Sequence, residues 1–341
     1  MSRDTNLVVV RMIMVASSLN RDDKEKPMVI AIVGPTASGK SAVGLELAKR
    51  IDGEIISGDS MQVYRGMDIG TAKASREELA SVRHHLIDVV DPCDEFNVAS
   101  YQKLAQDAIA DIIARGKMPI MVGGTGMYID SVLNGFLFPY EGKNGEVRER
   151  LVEEGELLGS QALHERLEEV DPEAASKIHP NDLRRIVRAL EVFITTGEPI
   201  SSLQKNHKAN KPYRSVYFGL YAERQLLWER TAARVDDMIE RGLVDEVRML
   251  MASGFAECLI AMQAIGYKEI VEYIRGEIPF ENAVELVKIE TRKYAKRQMT
   301  WFKRNESINW IDTSENSDVS SICDYIEKAL ADSVSSSTDQ F

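Results

Sequence analysis

Residues 34–41 read Gly34-Pro35-Thr36-Ala37-Ser38-Gly39-Lys40-Ser41 and directly follow an apolar run at residues 28–33. A short β-branched run, a glycine loop and a helical pattern over residues 42–51 are the context that a phosphate-binding loop requires. Glycines let successive backbone N–H groups point inward, and the N-terminal end of the next helix adds positive potential. We therefore predict a strand, phosphate loop and helix, with Lys40 on the terminal phosphate and the Ser41 hydroxyl on Mg²⁺.

The loop alone does not say what becomes of the phosphates. ATP is the obvious ligand for such a motif, but a bound diphosphate can be a phosphoryl donor, a switch ligand or a leaving group. A plain glycine turn without a ligand is the other interpretation, and the fitting strand and helix on either side disfavour it. The rest of the chain has to decide.

Composition narrows the class of protein. The chain has 341 residues, which is long for one core and predicts two domains or a large insertion. A formal net charge of −12 argues against wholesale coating of nucleic acid but allows a local basic patch. The three cysteines are far apart and lack metal-ligand spacing, which predicts a reducing compartment and no disulfide framework.

The first 27 residues include an apolar run at residues 7–15 that Arg11 interrupts. The run is too short to span a bilayer, and the residues after it make a poor cleavage region for a signal peptide. We predict that residues 1–27 form a disordered extension, that no segment crosses a membrane and that the protein is cytoplasmic.

Two later strands are predicted to end beside the phosphate loop. Residues 53–57 run into Asp59-Ser60-Met61-Gln62, and residues 118–122 end in a glycine turn that presents Thr125. Residues just past the carboxyl end of a parallel strand face the ligand crevice, so Asp59 is placed for chemistry; a helix N-cap is the competing interpretation. A phosphate-loop ATPase would carry an acidic residue near Thr125, and this chain has none there.

A helical and charged segment at residues 135–204 separates the early strands from the next strand-like run. We predict a helical insertion there, a discontinuous core at residues 28–134 and 205–315, and a C-terminal helix and tail at residues 316–341. Residues 177–214 contain eight Lys or Arg residues and only three Asp or Glu residues. This excess indicates either a nucleic-acid footprint or a solvated helix face.

Six blocks, in order, resemble the bacterial tRNA dimethylallyltransferase family. They are residues 34–41, 59–64, 67–73, 123–128, 263–269 and 294–298, and the resemblance covers about residues 28–312. It implies an α/β fold with a P-loop NTPase-like parallel sheet flanked by helices, and an all-helical insertion domain that binds tRNA.

The resemblance also implies a reaction. In that family, N6 of adenosine 37 in tRNAs that read UNN codons attacks C1 of dimethylallyl diphosphate, giving N6-(dimethylallyl)adenosine and diphosphate. It implies Mg²⁺ as cofactor, and the anticodon stem-loop of tRNA and dimethylallyl diphosphate as partners, and we expect a monomer. The phosphate loop would then hold a leaving group, while Asp59 accepts the proton of the amine.

Site residues carried over from the family fall into three groups. Asp59 and Thr125 would be catalytic. Gly34, Pro35, Thr36, Ala37, Ser38, Gly39, Lys40, Ser41 and Arg234 would bind the diphosphate, with Ser41 on the metal. The residues expected to contact tRNA are Asp59, Ser60, Met61, Gln62, Thr125, Arg148, Arg184, Arg185, Ile186, Val187 and Arg188.

Three rival functions remain open from the sequence. A nucleoside or metabolite kinase has a phosphate loop and a helical lid but consumes ATP. A non-catalytic RNA-binding or GTP-switch protein would bind ligands without making a product. An adenylate isopentenyltransferase performs the same chemistry on a free nucleotide, and the basic helical insertion argues against it.

Overall fold

The computed structural model of the protein describes residues 26–136, 138, 145–206, 211–255, 258, 261–315 and 318–335. Most of the predicted N-terminal extension, residues 1–25, lies outside the described residues. Contacts divide the chain into a larger unit of residues 1–133 and 211–341 and a smaller unit of residues 134–210. The predicted helical insertion spans residues 135–204, and the smaller unit spans residues 134–210.

Strands and helices alternate along most of the chain. The strands are β1 (Met28–Val33), β2 (Gly53–Ser57), β3 (His84–His85), β4 (Met118–Gly123), β5 (Arg214–Tyr221) and β6 (Ile308–Asp312). The helices are α1 (Lys40–Arg50), α2 (Arg76–Ser81), α3 (Val98–Ala114), α4 (Gly126–Leu133), α5 (Gly145–Leu158), α6 (Ser160–Val170), α7 (Pro172–Lys177), α8 (Leu183–Thr196), α9 (Ile200–Asn206), α10 (Arg224–Glu240), α11 (Leu243–Ala252), α12 (Tyr267–Ile274), α13 (Phe280–Phe302) and α14 (Val319–Ser335).

The larger unit is built on a parallel sheet with the strand order β3-β2-β4-β1-β5-β6. Helices α1 and α14 pack on one face, and α3, α4, α11 and α12 contribute to the core on the other. This confirms the predicted α/β fold class. Among the described helices none is both long and apolar enough to cross a bilayer.

Strand β1 shows why the first apolar run has no polar alternation. Val29, Ala31 and Val33 point into one core, and Ile30 and Ile32 point into the other. Every residue of the strand is buried. A central parallel strand covered by helices on both faces requires a continuous apolar run.

The smaller unit is helical in its described part and comprises α5 to α9. Its core collects apolar side chains from α5, α6 and α8, among them Leu151, Leu163, Leu167, Ile186 and Leu190. Asp171 fastens two of its helices, because its carboxylate accepts the Ala174 N–H at 3.0 Å and the Ser201 hydroxyl at 2.6 Å.

The prediction that no cysteines pair is wrong. Cys93 and Cys258 form a disulfide with their Cα atoms 4.8 Å apart, whereas Cys323 is a free, buried thiol. The Cα separation lies in the ordinary range for disulfides. Because the two cysteines are 165 residues apart in sequence, spacing alone could not reveal their proximity. The spacing therefore carries no information on the redox compartment.

A buried ion-pair network closes one edge of the sheet. Glu54 on β2 is 4% exposed, and its carboxylate accepts hydrogen bonds from the Arg115 guanidinium. His85 Nε2 lies 2.7 Å from the same carboxylate, and Arg115 also bonds Asp111. The Arg115 contact is the main reason why the pKa of Glu54 falls to about 2.

This network predicts an acid-sensitive sheet edge. Since folding lowers the pKa of Glu54, the ionised carboxylate contributes stability above its unfolded pKa of about 4.3, and the contribution is lost as the pH falls toward 2. We expect Glu54→Gln to lower the free energy of unfolding by roughly 3 kcal/mol at neutral pH and to flatten its decline in acid. Urea unfolding of both proteins at pH values from about 7 to 3 measures this.

Glu46→Gln is the matched control, because the Glu46 side chain is 39% exposed in its pair with Arg50. An exposed pair contributes about 0 to 1 kcal/mol. Equal acid sensitivity in the wild-type protein and Glu54→Gln would contradict the assignment.

Candidate active site

Three turns meet at one edge of the sheet because β2, β4 and β1 are neighbours in that order. The phosphate loop follows β1, Asp59 follows β2 and Thr125 follows β4. Parallel pairing places the carboxyl ends of all three strands side by side. The residues predicted from separate blocks of sequence therefore border one crevice, as expected for an open α/β sheet.

The phosphate loop lies directly before α1, whose first residue is Lys40. Lys40 Nζ donates a hydrogen bond to the Pro35 carbonyl at 2.5 Å. Ser41 is exposed in the first turn of the helix. Both side chains border the cleft, where a phosphate group could reach them.

The Asp59 turn is attached to the Thr125 turn. Thr125 Oγ1 accepts the Ser60 N–H at 3.1 Å, and the Thr125 N–H donates to the Gly58 carbonyl at 3.0 Å. Within its own turn, Asp59 Oδ1 accepts the Met61 N–H at 2.8 Å. These bonds fix the two predicted catalytic residues relative to each other. The N-cap interpretation of Asp59 does not apply, because the residues after Asp59 form a turn and the next helix along the chain is α2.

A cleft of about 820 Å³ opens in front of the three turns. Its polar lining includes the cations Lys40, Arg230, Arg234, Arg241 and Arg297 and the carboxylates Asp59 and Asp237. Its apolar lining includes Val235, Met238, Ala264, Ile265 and Val287. The lining therefore suits a ligand with an anionic end and an apolar end.

Burial of the cations shapes the electrostatics of the cleft. The pKa of Lys40 falls to about 7, mainly through burial and then through repulsion by Arg234, while Asp59 acts in the opposite direction. Burial also lowers the pKa of Arg234, again with Asp59 opposing. Two partly desolvated cations facing one carboxylate form a site that an anionic ligand would stabilise.

The structure adds a residue that the sequence motifs did not assign, Tyr294 on α13. Burial and the nearby Asp59 carboxylate raise the pKa of Tyr294 to about 12, although side-chain hydrogen bonds with Thr125 and Gln298 act to lower this pKa. The phenol is therefore neutral near Asp59. Its block was visible in the sequence, but only the fold brings α13 to the strand ends.

Gln298 is a second unassigned residue of the site. It is 5% exposed, and its Oε1 accepts the Thr36 N–H of the phosphate loop at 2.8 Å. A Cβ atom at Gly124 would lie 2.0 Å from Gln298 Nε2, so a side chain at this position in the turn after β4 would displace the Gln298 carboxamide. Gln298 thus fills the space between two of the three turns.

Gln62, a predicted tRNA contact, is engaged within the protein. Its Oε1 accepts the Ser57 hydroxyl at 2.8 Å, and its Nε2 donates to the carbonyls of Thr71 at 3.2 Å and Ala72 at 3.4 Å. Ser60 and Met61 line the cleft beside it. In this structure the Gln62 carboxamide connects β2 to the loop before α2.

The predicted tRNA contacts of the smaller unit separate into two groups. Arg184 and Arg185 at the start of α8 are exposed. Ile186 and Val187 are 0% and 3% exposed and belong to the core of the unit, so that only their backbone atoms could meet a ligand. Hydrophobic positions inside an amphipathic helix face the core, which explains why a continuous block cannot act as a whole.

Arg148 and Arg188, two further predicted contacts, share a buried partner. Glu191 is 0% exposed, and its Oε2 accepts from Arg148 Nη2 at 2.7 Å and from Arg188 Nη1 at 3.2 Å. The two arginine side chains are 36% and 34% exposed. Both arginines therefore neutralise the buried Glu191 carboxylate, and only the outer parts of their side chains are exposed to a ligand.

Donor chemistry at the cleft is compatible with Mg²⁺. The described residues hold no cluster of three or more His, Cys, Asp or Glu side chains suited to a metal ion. Mg²⁺ usually keeps several waters and binds through one or two protein oxygens and the phosphates of a substrate. The Ser41 hydroxyl lines the cleft and supplies an oxygen of that kind.

Comparisons with known proteins agree with this geometry. The family model described as IPP transferase matches residues 62–305. A tRNA dimethylallyltransferase of Thermoanaerobacter sp. (strain X514) is 50% identical over 307 residues, which cover 89% of this chain and 97% of the relative. One of Carboxydothermus hydrogenoformans is 52% identical over 290 residues, covering 85% and 93%.

Solved structures give the same result. The tRNA isopentenylpyrophosphate transferase of Bacillus halodurans has a TM-score of 0.67 and 42% identity, with 91% of this chain and 98% of that chain covered. A eukaryotic dimethylallyltransferase acting on tRNA has a TM-score of 0.75 and 31% identity, with 86% and 75% covered. From its matched residues, its identity to these relatives and the three turns around the cleft, the chain belongs to the IPP transferase family.

Proposed function

We propose that the protein transfers a dimethylallyl group from dimethylallyl diphosphate to N6 of adenosine 37 in tRNAs that read UNN codons. The main support is the cleft that a carboxylate, Asp59, shares with partly desolvated cations at a phosphate loop. The relatives named tRNA dimethylallyltransferase carry the same activity in their name.

Asp59 is the group best placed to accept the proton of the attacking amine. The exocyclic amine of adenine is a weak nucleophile because its lone pair is delocalised, so a positioned base accelerates attack. The Met61 N–H holds Asp59 Oδ1. No hydrogen bond to Asp59 Oδ2 occurs among the described residues, so this oxygen is available to the amine.

The other end of the cleft receives the departing diphosphate. Negative charge grows on the leaving oxygen as the C1–O bond breaks, and preorganised donors stabilise it best where water is excluded. The backbone N–H groups of Ala37, Gly39, Lys40 and Ser41, together with the side chains of Lys40 and Arg234, are the donors on this side. Mg²⁺, held by the Ser41 hydroxyl and the diphosphate, would neutralise part of the charge.

Thr125 aligns the reacting turn and borders the path of the base. Its hydroxyl accepts the Ser60 N–H and donates toward Ser60 Oγ at 3.3 Å. A target adenosine has to leave the stack of the anticodon loop before its N6 atom can enter a cleft, and flanking bases are then read in single-stranded form. We place this step at the Asp59 and Thr125 turns, in a monomeric enzyme acting in the cytoplasm.

The proposal is tested by incubating the purified protein with labelled dimethylallyl diphosphate, Mg²⁺ and unmodified tRNA that reads a codon beginning with U. We expect label in the tRNA and one diphosphate released per transfer. Consumption of ATP without labelling would support the kinase instead. Labelling of free adenylate but not of tRNA would support the adenylate isopentenyltransferase.

Asp59→Ala should lower the turnover number by about 10²-fold or more, the usual contribution of a general base, while tRNA binding persists. Asp59→Asn is the matched control for shape, because it retains an acceptor for the Met61 N–H but cannot take up the proton. We expect both variants to be slow. Wild-type turnover in either would remove Asp59 from the mechanism.

Binding of the diphosphate should be linked to protonation of Lys40. With a pKa of about 7 in the free protein, about half of the Lys40 side chains are neutral at pH 7, and a bound anion favours the ammonium form. Binding should therefore take up about half a proton at pH 7, and affinity should fall as the pH rises above 7. Calorimetry in buffers with different ionisation enthalpies measures the uptake.

Lys40→Arg is the control, because its guanidinium stays charged at every pH used. We expect the part of the proton uptake that comes from Lys40 to disappear in this variant. Uptake equal to that of the wild-type protein would assign the proton to the ligand rather than to Lys40.

Arg184→Ala and Arg185→Ala should each weaken tRNA binding and reduce the slope of log affinity against log salt by about one for each phosphate that the arginine no longer neutralises. Both side chains are exposed, so the thermal midpoint should stay unchanged. Arg166→Ala on α6 is the control, since Arg166 is 39% exposed and lies outside the predicted contacts. An unchanged salt slope in the α8 variants would exclude them from the tRNA interface.

A further inference from the structure

Two sequence blocks that carry no assigned role meet at one buried carboxylate. Residues 67–73 form the loop after the Asp59 turn, and residues 263–269 lead into α12. Glu246 on α11 is 6% exposed and lies between them. Its Oε2 accepts the N–H groups of Asp68 at 3.0 Å and Ile69 at 2.8 Å.

The second carboxylate oxygen completes the junction. Glu246 Oε1 accepts the Gly70 N–H at 3.2 Å and the Tyr267 hydroxyl at 2.6 Å. Three successive backbone N–H groups around one anion form a nest, in which the donors hold the anion and the anion holds the curvature of the loop. The junction therefore specifies the backbone path of residues 68–70.

Close packing at Gly70 reinforces this geometry. A Cβ atom at Gly70 would lie 2.5 Å from Tyr267 Cε2, so the backbone lies directly against the phenol ring. Tyr267 is itself fully buried. The Tyr267 ring and the Glu246 carboxylate together hold the loop at residues 68–70 in one position against α11 and α12.

None of the hydrogen-bond partners of Glu246 among the described residues is a cation. An apolar side chain at this position would leave the N–H groups of residues 68–70 and the Tyr267 hydroxyl without an acceptor. The carboxylate therefore serves to hold the loop at residues 68–70 against α11 and α12.

Both blocks border the cleft in which the reaction is proposed. Residues 70–73 line one part of it and residues 263–265 another. The first block also contacts the Asp59 turn, because Gln62 Nε2 donates to the carbonyls of Thr71 and Ala72 while Gln62 Oε1 accepts the Ser57 hydroxyl. A shift of the loop would therefore reach the base through Gln62.

We propose that Glu246, together with Tyr267, is a positioning residue for the transfer reaction, which acts through the loop at residues 67–73 and Gln62 on the turn that carries Asp59. The inference rests on the proposed function. Glu246 does not contact the substrates. It keeps the base within the narrow range of positions that attack on carbon requires, and a displacement of about 1 Å can cost as much as 10²-fold in rate.

The first test is Glu246→Gln. The carboxamide can accept at one end, but its NH₂ group then faces the donors at the other end, so part of the nest loses its acceptor. We expect the single-turnover rate of transfer to tRNA, at saturating substrates, to fall about 10- to 100-fold. Affinity for inorganic diphosphate, measured by calorimetry, should stay within about twofold, because the hydrogen bonds of the junction do not involve residues 34–41.

Glu54→Gln is the matched control. Glu54 is also a buried carboxylate with several partners, but its partners Arg115 and His85 do not line the cleft. Both variants should unfold at lower temperature, whereas only Glu246→Gln should slow the transfer. Equal rates in the two variants, or a parallel loss of diphosphate affinity in Glu246→Gln, would overturn the positioning role.

Tyr267→Phe keeps the inference testable if Glu246→Gln does not fold. It removes one hydroxyl and preserves the ring against Gly70, and we expect about a 3- to 10-fold slower transfer with unchanged diphosphate affinity. A wild-type rate in Tyr267→Phe would then overturn the inference. Failure of the wild-type protein to modify tRNA would instead overturn the proposed function, so that the two failures are distinguishable.

Discussion

Parallel pairing of β2, β4 and β1 is the constraint on which the site depends. It brings three turns from distant parts of the chain to the same end of the sheet. Each turn carries a different chemical group: a carboxylate, a hydroxyl and the backbone N–H groups of the phosphate loop. The strands hold these turns in place. Because both faces of the sheet are covered by helices, the strand ends cannot slide without disturbing two cores.

Charge in the cleft runs against the charge of the whole chain. The protein carries a formal net charge of −12, yet Lys40 and Arg234 lie close enough for Arg234 to lower the pKa of Lys40. Burial is the larger cause and lowers the pKa of both side chains. In the proposed reaction a diphosphate would relieve their repulsion, and Asp59, which follows β2, would accept the proton. The separation of the two roles follows from the separation of two strand ends.

The sequence predicted the elements that depend on local pattern. The phosphate loop, α1 and the turns with Asp59 and Thr125 follow from periodicity, glycine placement and the rule for parallel strands. Contacts between distant segments were not predictable in this way, and Gln298 reaches Thr36 across 262 residues. Block matching in the smaller unit was limited for a different reason. Residues 184–188 resemble a tRNA-contacting block of the family as one continuous segment. In a helix, however, such a segment has some side chains in solvent and others in the core, and only the structure separates the two.

Several polar side chains near Asp59 serve to hold neighbouring segments together. Gln62, Gln298 and Glu246 each connect two segments that border the cleft. Such bonds have a physical rationale in the proposed reaction at carbon, in which the amine would have to approach C1 along the line of the breaking C1–O bond. A phosphate loop alone can bind a diphosphate, but alignment requires that the base and the loop keep a fixed relation. The neutral carboxamides of Gln62 and Gln298 and the hydrogen-bonded carboxylate of Glu246 keep these segments in place without adding a cation beside the diphosphate.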